Sequence, residues 1–186
     1  MSPTSGASFR VVGEETVLRA HVFSVVHADV SAGDGARFER DIVRHPGAVA
    51  VVAVTAGGSV VLVEQYRAPV DRWILEIPAG TRDVDGEPAE ETARRELVEE
   101  AGYRADRMDL LAQILNTPGF CDERTFLYLA TGLSAVAPDR HGFEEQQMSV
   151  VEVDLGRFDA MVDDGSIVDA QTILGVGLAR RRLASG

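Results

Sequence analysis

Lysine is absent from this 186-residue chain, and all 18 basic residues are arginine. A Walker-A loop, a Schiff-base lysine and a serine–lysine dyad are therefore excluded. The single cysteine, Cys121, cannot close an internal disulfide, which fits a reducing cytoplasm. One cysteine and four scattered histidines give no zinc-ligand spacing. No run approaches the ~18 consecutive apolar residues of a membrane helix, so no membrane partner is expected. The first 20 residues lack the basic start and apolar centre of a signal peptide. Cations are also outnumbered. With 18 basic and 30 acidic residues the net charge is −12, which argues against general nucleic-acid binding.

Apolar residues make up 45% of the chain, enough for one folded domain with a real core. Residues 1–16 are rich in small polar residues and read as a flexible terminus. Residues 17–30 and 37–45 read as strands joined by a turn at Ala32-Gly33-Asp34-Gly35. Residues 48–55 form a continuous Ala/Val run, expected to be a strand buried on both faces. Gly57-Gly58 marks a hairpin into Val60–Tyr66. Further strands are expected at residues 73–77, 108–116, 124–131 and 148–153, and helices at 88–101 and 167–183. Residues 134–147 read as a polar loop. Strands and helices mix without the regular alternation of a doubly wound sheet, so the fold class is mixed α/β or α+β. No linker divides the chain, and residues 17–46 precede a core domain at 47–186.

The predicted helix over 88–101 carries the chemistry. Pro88 sits at its start and Gly102 at its end, where these residues are favoured. Ala89, Ala93 and Leu97 recur every four residues and can face a core. Glu96, Glu99 and Glu100 lie three and four apart, so their carboxylates share one face. Like charges at that spacing cost a few tenths of a kcal/mol per pair, which a cation can offset. Mg²⁺ takes hard oxygen ligands of this kind, together with substrate phosphates.

Residues 80–103 resemble the Nudix box, with Gly80, Glu87, Arg95, Glu96, Leu97, Glu99, Glu100 and Gly102 in order. Two positions depart from the family pattern. Six residues rather than five separate Gly80 from Glu87, and Tyr103 stands where an aliphatic residue is usual. The resemblance implies an α/β/α sandwich around a mixed sheet. It implies a Mg²⁺- or Mn²⁺-dependent hydrolase of nucleoside diphosphates linked to another moiety. It places Glu96, Glu99, Glu100 and the backbone carbonyl of Ala79 around the metals. Arg95 and Glu87 are then groups that hold helix and loop behind the ligands. Such cations reverse the repulsion between the carboxylates and a pyrophosphate, and acidify a bound water.

Four further segments resemble bacterial ADP-ribose pyrophosphatases, the mycobacterial type among them, and the likeness spans roughly residues 20–180. They are Arg40–Val49, Glu64–Arg67, Trp73–Gly80 and Asn116–Arg124, with Pro118 at the subgroup's spacing from Gly102. Arg67 can grip a phosphate bidentately, and Glu123 can accept hydrogen bonds from ribose hydroxyls. Thr117 lies in the same segment, and Phe120 can cover a ring or serve as a core aromatic. Arg40 and Asp41 resemble positions where a partner subunit reaches the adenosine site, which implies a homodimer built on the N-terminal strands. Glu76 reads equally as structural or metal-linked.

The segment His141–Met148 resembles the loop that carries the catalytic carboxylate in that subgroup. Aligning it puts Glu144 at the base position with Glu145 beside it, while Glu99 on the helix is the alternative base. The expected reaction is ADP-ribose hydrolysis to AMP and ribose 5-phosphate. A broader nucleoside-diphosphate-sugar or nucleotide housecleaning pyrophosphatase is the second reading. A non-catalytic ADP-ribose-binding regulator is the third.

Overall fold

A computed structural model describes residues 8–140 and 146–185. These fall into two compact units. One lies within Met1–Gly47 together with Leu115–Arg124, the other within Ala48–Ile114 together with Thr125–Gly186.

The second unit is a helix–sheet–helix sandwich. Its centre is β4 (Ala48–Val54), in which every residue is buried. Small and β-branched side chains suit that place, because β4 has neighbours on both edges and both faces. On one edge it runs parallel to β9 (Arg124–Ala135). On the other it is antiparallel to β7 (Ala79–Thr81) through Ala48–Ala50 and to β5 (Ser59–Arg67) through Ala53–Val54. β5 also pairs with β6 (Arg72–Glu76) and with β10 (Ser149–Asp154), and β8 (Tyr103–Leu115) lies beyond β9. The sheet is therefore mixed, as the resemblance implied.

The period-2 alternation of the strands divides the core in two. Val49, Val51, Ala53, Val61, Val63, Tyr128 and Ala130 face α1 (Ala89–Ala101), which supplies Ala93, Leu97 and Ala101. Ala50, Val52, Val54, Val60, Leu62, Leu127 and Leu129 face α2 (Phe158–Asp163) and α3 (Ala170–Leu183), which supply Phe158, Val176 and Ala179. Each fully buried Val or Leu contributes roughly 1.5–3 kcal/mol of hydrophobic stabilisation. Helix α3 approaches closely at Gly175, where a Cβ would lie 3.0 Å from Val52.

The first unit holds a three-stranded antiparallel meander of β1 (Phe9–Arg19), β2 (Ser24–Ala32) and β3 (Arg37–Arg44). Segment 115–124 is stitched to β3. Val43 N–H donates to Phe120 O at 2.8 Å, and Asp122 N–H donates to Val43 O at 3.2 Å.

Five local expectations need correction. Strand β1 begins at Phe9, within the stretch read as a loose terminus, and a turn at Ala20–Phe23 interrupts the strand expected over 17–30. All of β1 but Gly13 is exposed, so no buried face imposed an apolar alternation on its sequence. Strand β8 starts at Tyr103, directly after Gly102 stops α1, and β9 runs on to Ala135 inside the expected polar loop. Helix α2 was missed because it is only six residues long and buries one of them, Phe158. No described helix is long and apolar enough to cross a membrane.

Candidate functional site

Helix α1 is held at both ends. Pro88 is the N-cap itself, with φ −60° and ψ 141°, and the Thr92 hydroxyl donates to Glu87 at 2.7 Å. Gly102 ends the helix at φ 70°, a left-handed position that favours glycine. Between them the carboxylates of Glu96, Glu99 and Glu100 project from one side of the helix.

The Glu96 carboxylate lies against Gly80 of β7. A Cβ at Gly80 would sit 2.1 Å from the Glu96 carboxyl carbon, so the backbone can approach this group only as glycine. Glu100 is 6% exposed and accepts the Ala79 N–H at 2.9 Å. Strand β7 thus meets α1 twice in consecutive residues. Glu99 meets Arg95, whose Nη1 donates to Glu96 at 2.8 Å and to Glu99 at 3.0 Å. Its Nη2 lies 3.5 Å from Glu87 and 3.8 Å from Asp83. Burial opposes the charge on Arg95, but Glu96, Glu99 and Glu87 outweigh it and hold the guanidinium above its ordinary pKa. Ala79, Glu87, Arg95, Glu96, Glu99 and Glu100 therefore form one connected group.

Among the described residues, no set of three or more His, Cys, Asp or Glu side chains is gathered tightly enough to hold a metal ion. The donor chemistry nevertheless fits a hard divalent cation. Three carboxylates on consecutive turns offer oxygen ligands, and the missing side chain at Gly80 admits Glu96 against the backbone. In this structure Arg95 supplies the cation that balances two of them.

The residues between Gly80 and Glu87 absorb the extra loop position. Gly86 turns at φ 78°, and Arg82 donates to the Glu87 carbonyl at 3.2 Å. Tyr103 uses its hydroxyl, which donates to Glu152 of β10 at 2.9 Å.

Arg67 is not a lone phosphate clamp. Its Nε donates at 2.8 Å to Glu76, a carboxylate 7% exposed, across the β5–β6 hairpin. Burial pushes the Glu76 carboxyl above its ordinary pKa, and the Arg67 charge pulls it back.

A separate cavity of about 390 Å³ lies within the first unit. Arg40, Asp41, Arg44, Pro118, Phe120 and Arg124 are among its lining residues. Three expected substrate residues, Arg40, Asp41 and Phe120, are brought together here, and Phe120 is 58% exposed rather than a core aromatic. Thr117 and Glu123 share the segment but do not line the cavity, and Thr117 O accepts the N–H groups of Phe120 and Cys121. Arg44 is one of the lining residues to which the sequence reading gave no role. It donates to Asp122 at 2.9 Å and pairs with Glu14. Burial acts to raise the Asp122 carboxyl, but the His45 N–H and the Arg44 guanidinium hold it below its ordinary pKa. Arg44 lies in the Arg40–Val49 stretch, but its partner Asp122 stands 78 positions further along the chain.

Glu144 and Glu145, the expected loop carboxylates, lie outside the described residues. Arg140, just before them, donates to Glu100 O at 2.8 Å and to Met148 O at 2.6 Å.

Comparison with known proteins adds to this geometry. The family described as NUDIX domain matches residues 43–170. The ADP-ribose pyrophosphatase of Bacillus subtilis (strain 168) is 38% identical over 163 residues, covering 88% of each chain. That of Mycobacterium tuberculosis is 37% identical over 90% of this chain and 81% of its own. The methanol dehydrogenase activator of Bacillus methanolicus is 37% identical over 90% of each. A solved structure titled as an ADP compounds hydrolase superposes with TM-score 0.83 at 23% identity, covering 98% of both chains, which supports the fold.

Proposed function

This chain belongs to the NUDIX domain family, and on that premise we propose that it hydrolyses the pyrophosphate bond of ADP-ribose, giving AMP and ribose 5-phosphate. The observation that carries the reaction class is the packing of Glu96 onto Gly80, with Glu99 and Glu100 on the same helix. Likeness over most of both chains to two proteins named ADP-ribose pyrophosphatase supports the substrate.

Nudix hydrolases generally need divalent metal ions. Here Mg²⁺ or Mn²⁺ would be held by Glu96, Glu99, Glu100 and the Ala79 carbonyl. Bound there, it would neutralise the pyrophosphate and acidify a water. Arg95 and Glu87 brace those carboxylates from behind. Glu144 is the general base, Glu145 stands beside it, and Glu99 is the alternative base on the helix. Arg67, steadied by Glu76, binds a phosphate. Arg40, Asp41, Thr117, Phe120 and Glu123 recognise the nucleoside and ribose, with the Arg40–Phe120 cavity taking the adenosine. The protein is a homodimer joined through its N-terminal strands and works in the cytoplasm. The exposed apolar residues of β1, including Phe9, Val17 and Leu18, support the dimer.

A panel of ADP-ribose, ADP-glucose, NADH, diadenosine polyphosphates and dGTP with Mg²⁺ tests the substrate. ADP-ribose is expected to give the highest kcat/KM, and a preference for dGTP or a dinucleoside polyphosphate would reject it. Glu96→Gln and Glu100→Gln are expected to lower turnover on the order of 100-fold or more with the fold intact. Near wild-type turnover in both would remove the ligand assignment. Glu144→Gln is expected to lower kcat with KM nearly unchanged. If Glu145→Gln does more damage, the loop alignment shifts by one residue. If only Glu99→Gln abolishes turnover at saturating metal, the base is on the helix.

The likeness to the methanol dehydrogenase activator favours a second reading, regulation of a partner enzyme. Retention of Glu96, Glu99 and Glu100 ranks hydrolysis first.

A further inference from the structure

Two residues, Ile77 and Pro78, connect β6 to β7 and carry no regular secondary structure. They lead straight into Ala79 and Gly80, which touch Glu100 and Glu96. Three elements pin this short stretch. The Pro78 carbonyl accepts Val51 N–H of β4 at 2.8 Å, and Ala79 N–H donates to Glu100 of α1 at 2.9 Å. The third pin comes from α3: Ile77 N–H donates to the Thr172 hydroxyl at 2.9 Å.

Thr172 is fully buried. Its hydroxyl proton goes to Asp169 Oδ2 at 2.7 Å, and that same oxygen accepts Thr172 N–H at 2.7 Å as the N-cap of α3. Capping alone needs only the N–H contact, which Ser or Asn would supply as well. The second contact fixes the hydroxyl rotor. With the proton committed to Asp169, a lone pair is left for Ile77.

We propose that Thr172, oriented by Asp169, is a positioning residue that sets where Ala79 and Gly80 stand against Glu100 and Glu96, and so tunes the metal affinity of the carboxylate helix. The line runs from the N-cap of a helix on one face of the sheet, along the Ile77–Ala79 backbone, to a carboxylate on the other face. Tolerance at its end is small, because the space at Gly80 is already filled by the Glu96 carboxylate. A shift of a few tenths of an ångström in β7 therefore moves at least one carboxylate.

This inference rests on the metal-dependent reading of the site, and the experiment separates the two. Thr172→Val keeps shape and the Asp169 cap to the backbone but removes the hydroxyl. Val176, Ala179 and Gly175 still dock α3. Mn²⁺ binding to the metal-free protein without substrate is measured by electron paramagnetic resonance, alongside Tm. Thr172→Val is expected to raise the Mn²⁺ Kd by about fivefold or more, with KM for ADP-ribose at saturating metal within about twofold. Thr172→Ser restores the hydroxyl and is expected to restore Kd. Val176→Ala lowers Tm without moving Kd, which separates positioning from mere stability. Should Thr172→Val fail to fold, Asp169→Ala leaves the hydroxyl in place but unanchored, and is expected to raise Kd about two- to threefold. A folded Thr172→Val or Asp169→Ala protein with wild-type Kd, or a serine variant as impaired as valine, overturns the positioning role alone. A wild-type protein that binds no Mn²⁺ overturns the metal reading and this inference with it.

Discussion

The two sheets of this protein solve burial in opposite ways. In the seven-stranded sheet, β4 is buried along its whole length and both faces are covered by helices. In the three-stranded sheet, β1 leaves Phe9, Val11, Val17 and Leu18 open to solvent, and no helix belongs to that unit among the described residues. The first arrangement is self-sufficient. The second resembles half of an interface, since a long exposed edge strand that carries apolar side chains is a template for pairing. The Glu96, Glu99 and Glu100 carboxylates belong to the unit with the covered sheet, where a glycine is held against a glutamate. The arginine-lined cavity belongs to the unit with the open sheet.

Substitutions can sharpen this contrast. The largest effect is expected from Gly80→Ala, because the new Cβ would overlap the Glu96 carboxyl group. Turnover should fall at least about 100-fold, while circular dichroism reports an intact fold. Leu97→Ala should cost about 2–5 kcal/mol in urea unfolding, because Leu97 is fully buried between α1 and the sheet. A change below about 1 kcal/mol would mean that the covered sheet is not close-packed. Val17→Glu with Leu18→Glu should leave that core within about 0.5 kcal/mol of wild type. Light scattering should instead show a halved mass, and a retained dimer would place the interface elsewhere.

The smallest effect concerns His27, which sits opposite Asp41 in the β2–β3 register and contacts it at 2.9 Å. The Asp41 hydrogen bond raises the His27 pKa above its ordinary 6.5, aided by Glu39. A raised pKa means that the pair helps the sheet fully below pH 6.5 and loses that help as pH rises through the folded-state value. Hydrogen exchange of β2 and β3 amides, corrected for intrinsic pH dependence, should show less protection above that range. His27→Asn should flatten the difference.

What the sequence disclosed follows the same division. The Ala/Val run of β4 and the Pro88–Gly102 bounds of α1 were legible because burial imposes a local pattern. Spacing alone placed Glu96, Glu99 and Glu100 on one face. Strand β1 was illegible because exposure imposes no pattern. Distance hid the rest. Thr172 beneath Ile77 and Asp122 beside Arg44 are contacts between remote positions, and no local window holds both members. Gly80 and Glu96 share the window of residues 80–103, but their spacing does not show that one packs on the other. Arg67 and Glu76 were each noticed, but only the hairpin revealed them as a pair.

The parallel pairing of β4 with β9 has a consequence for synthesis. Ala48 pairs with Thr125, so the central strand waits for a partner made long after it. The antiparallel neighbours β5 and β7 can dock early, but the other edge of β4 stays unpaired until the ribosome has passed Ala135. The first unit waits as well, because it includes Leu115–Arg124. A nascent chain stalled near residue 114 would therefore complete neither sheet, and would expose the most apolar strand of the protein along an open edge.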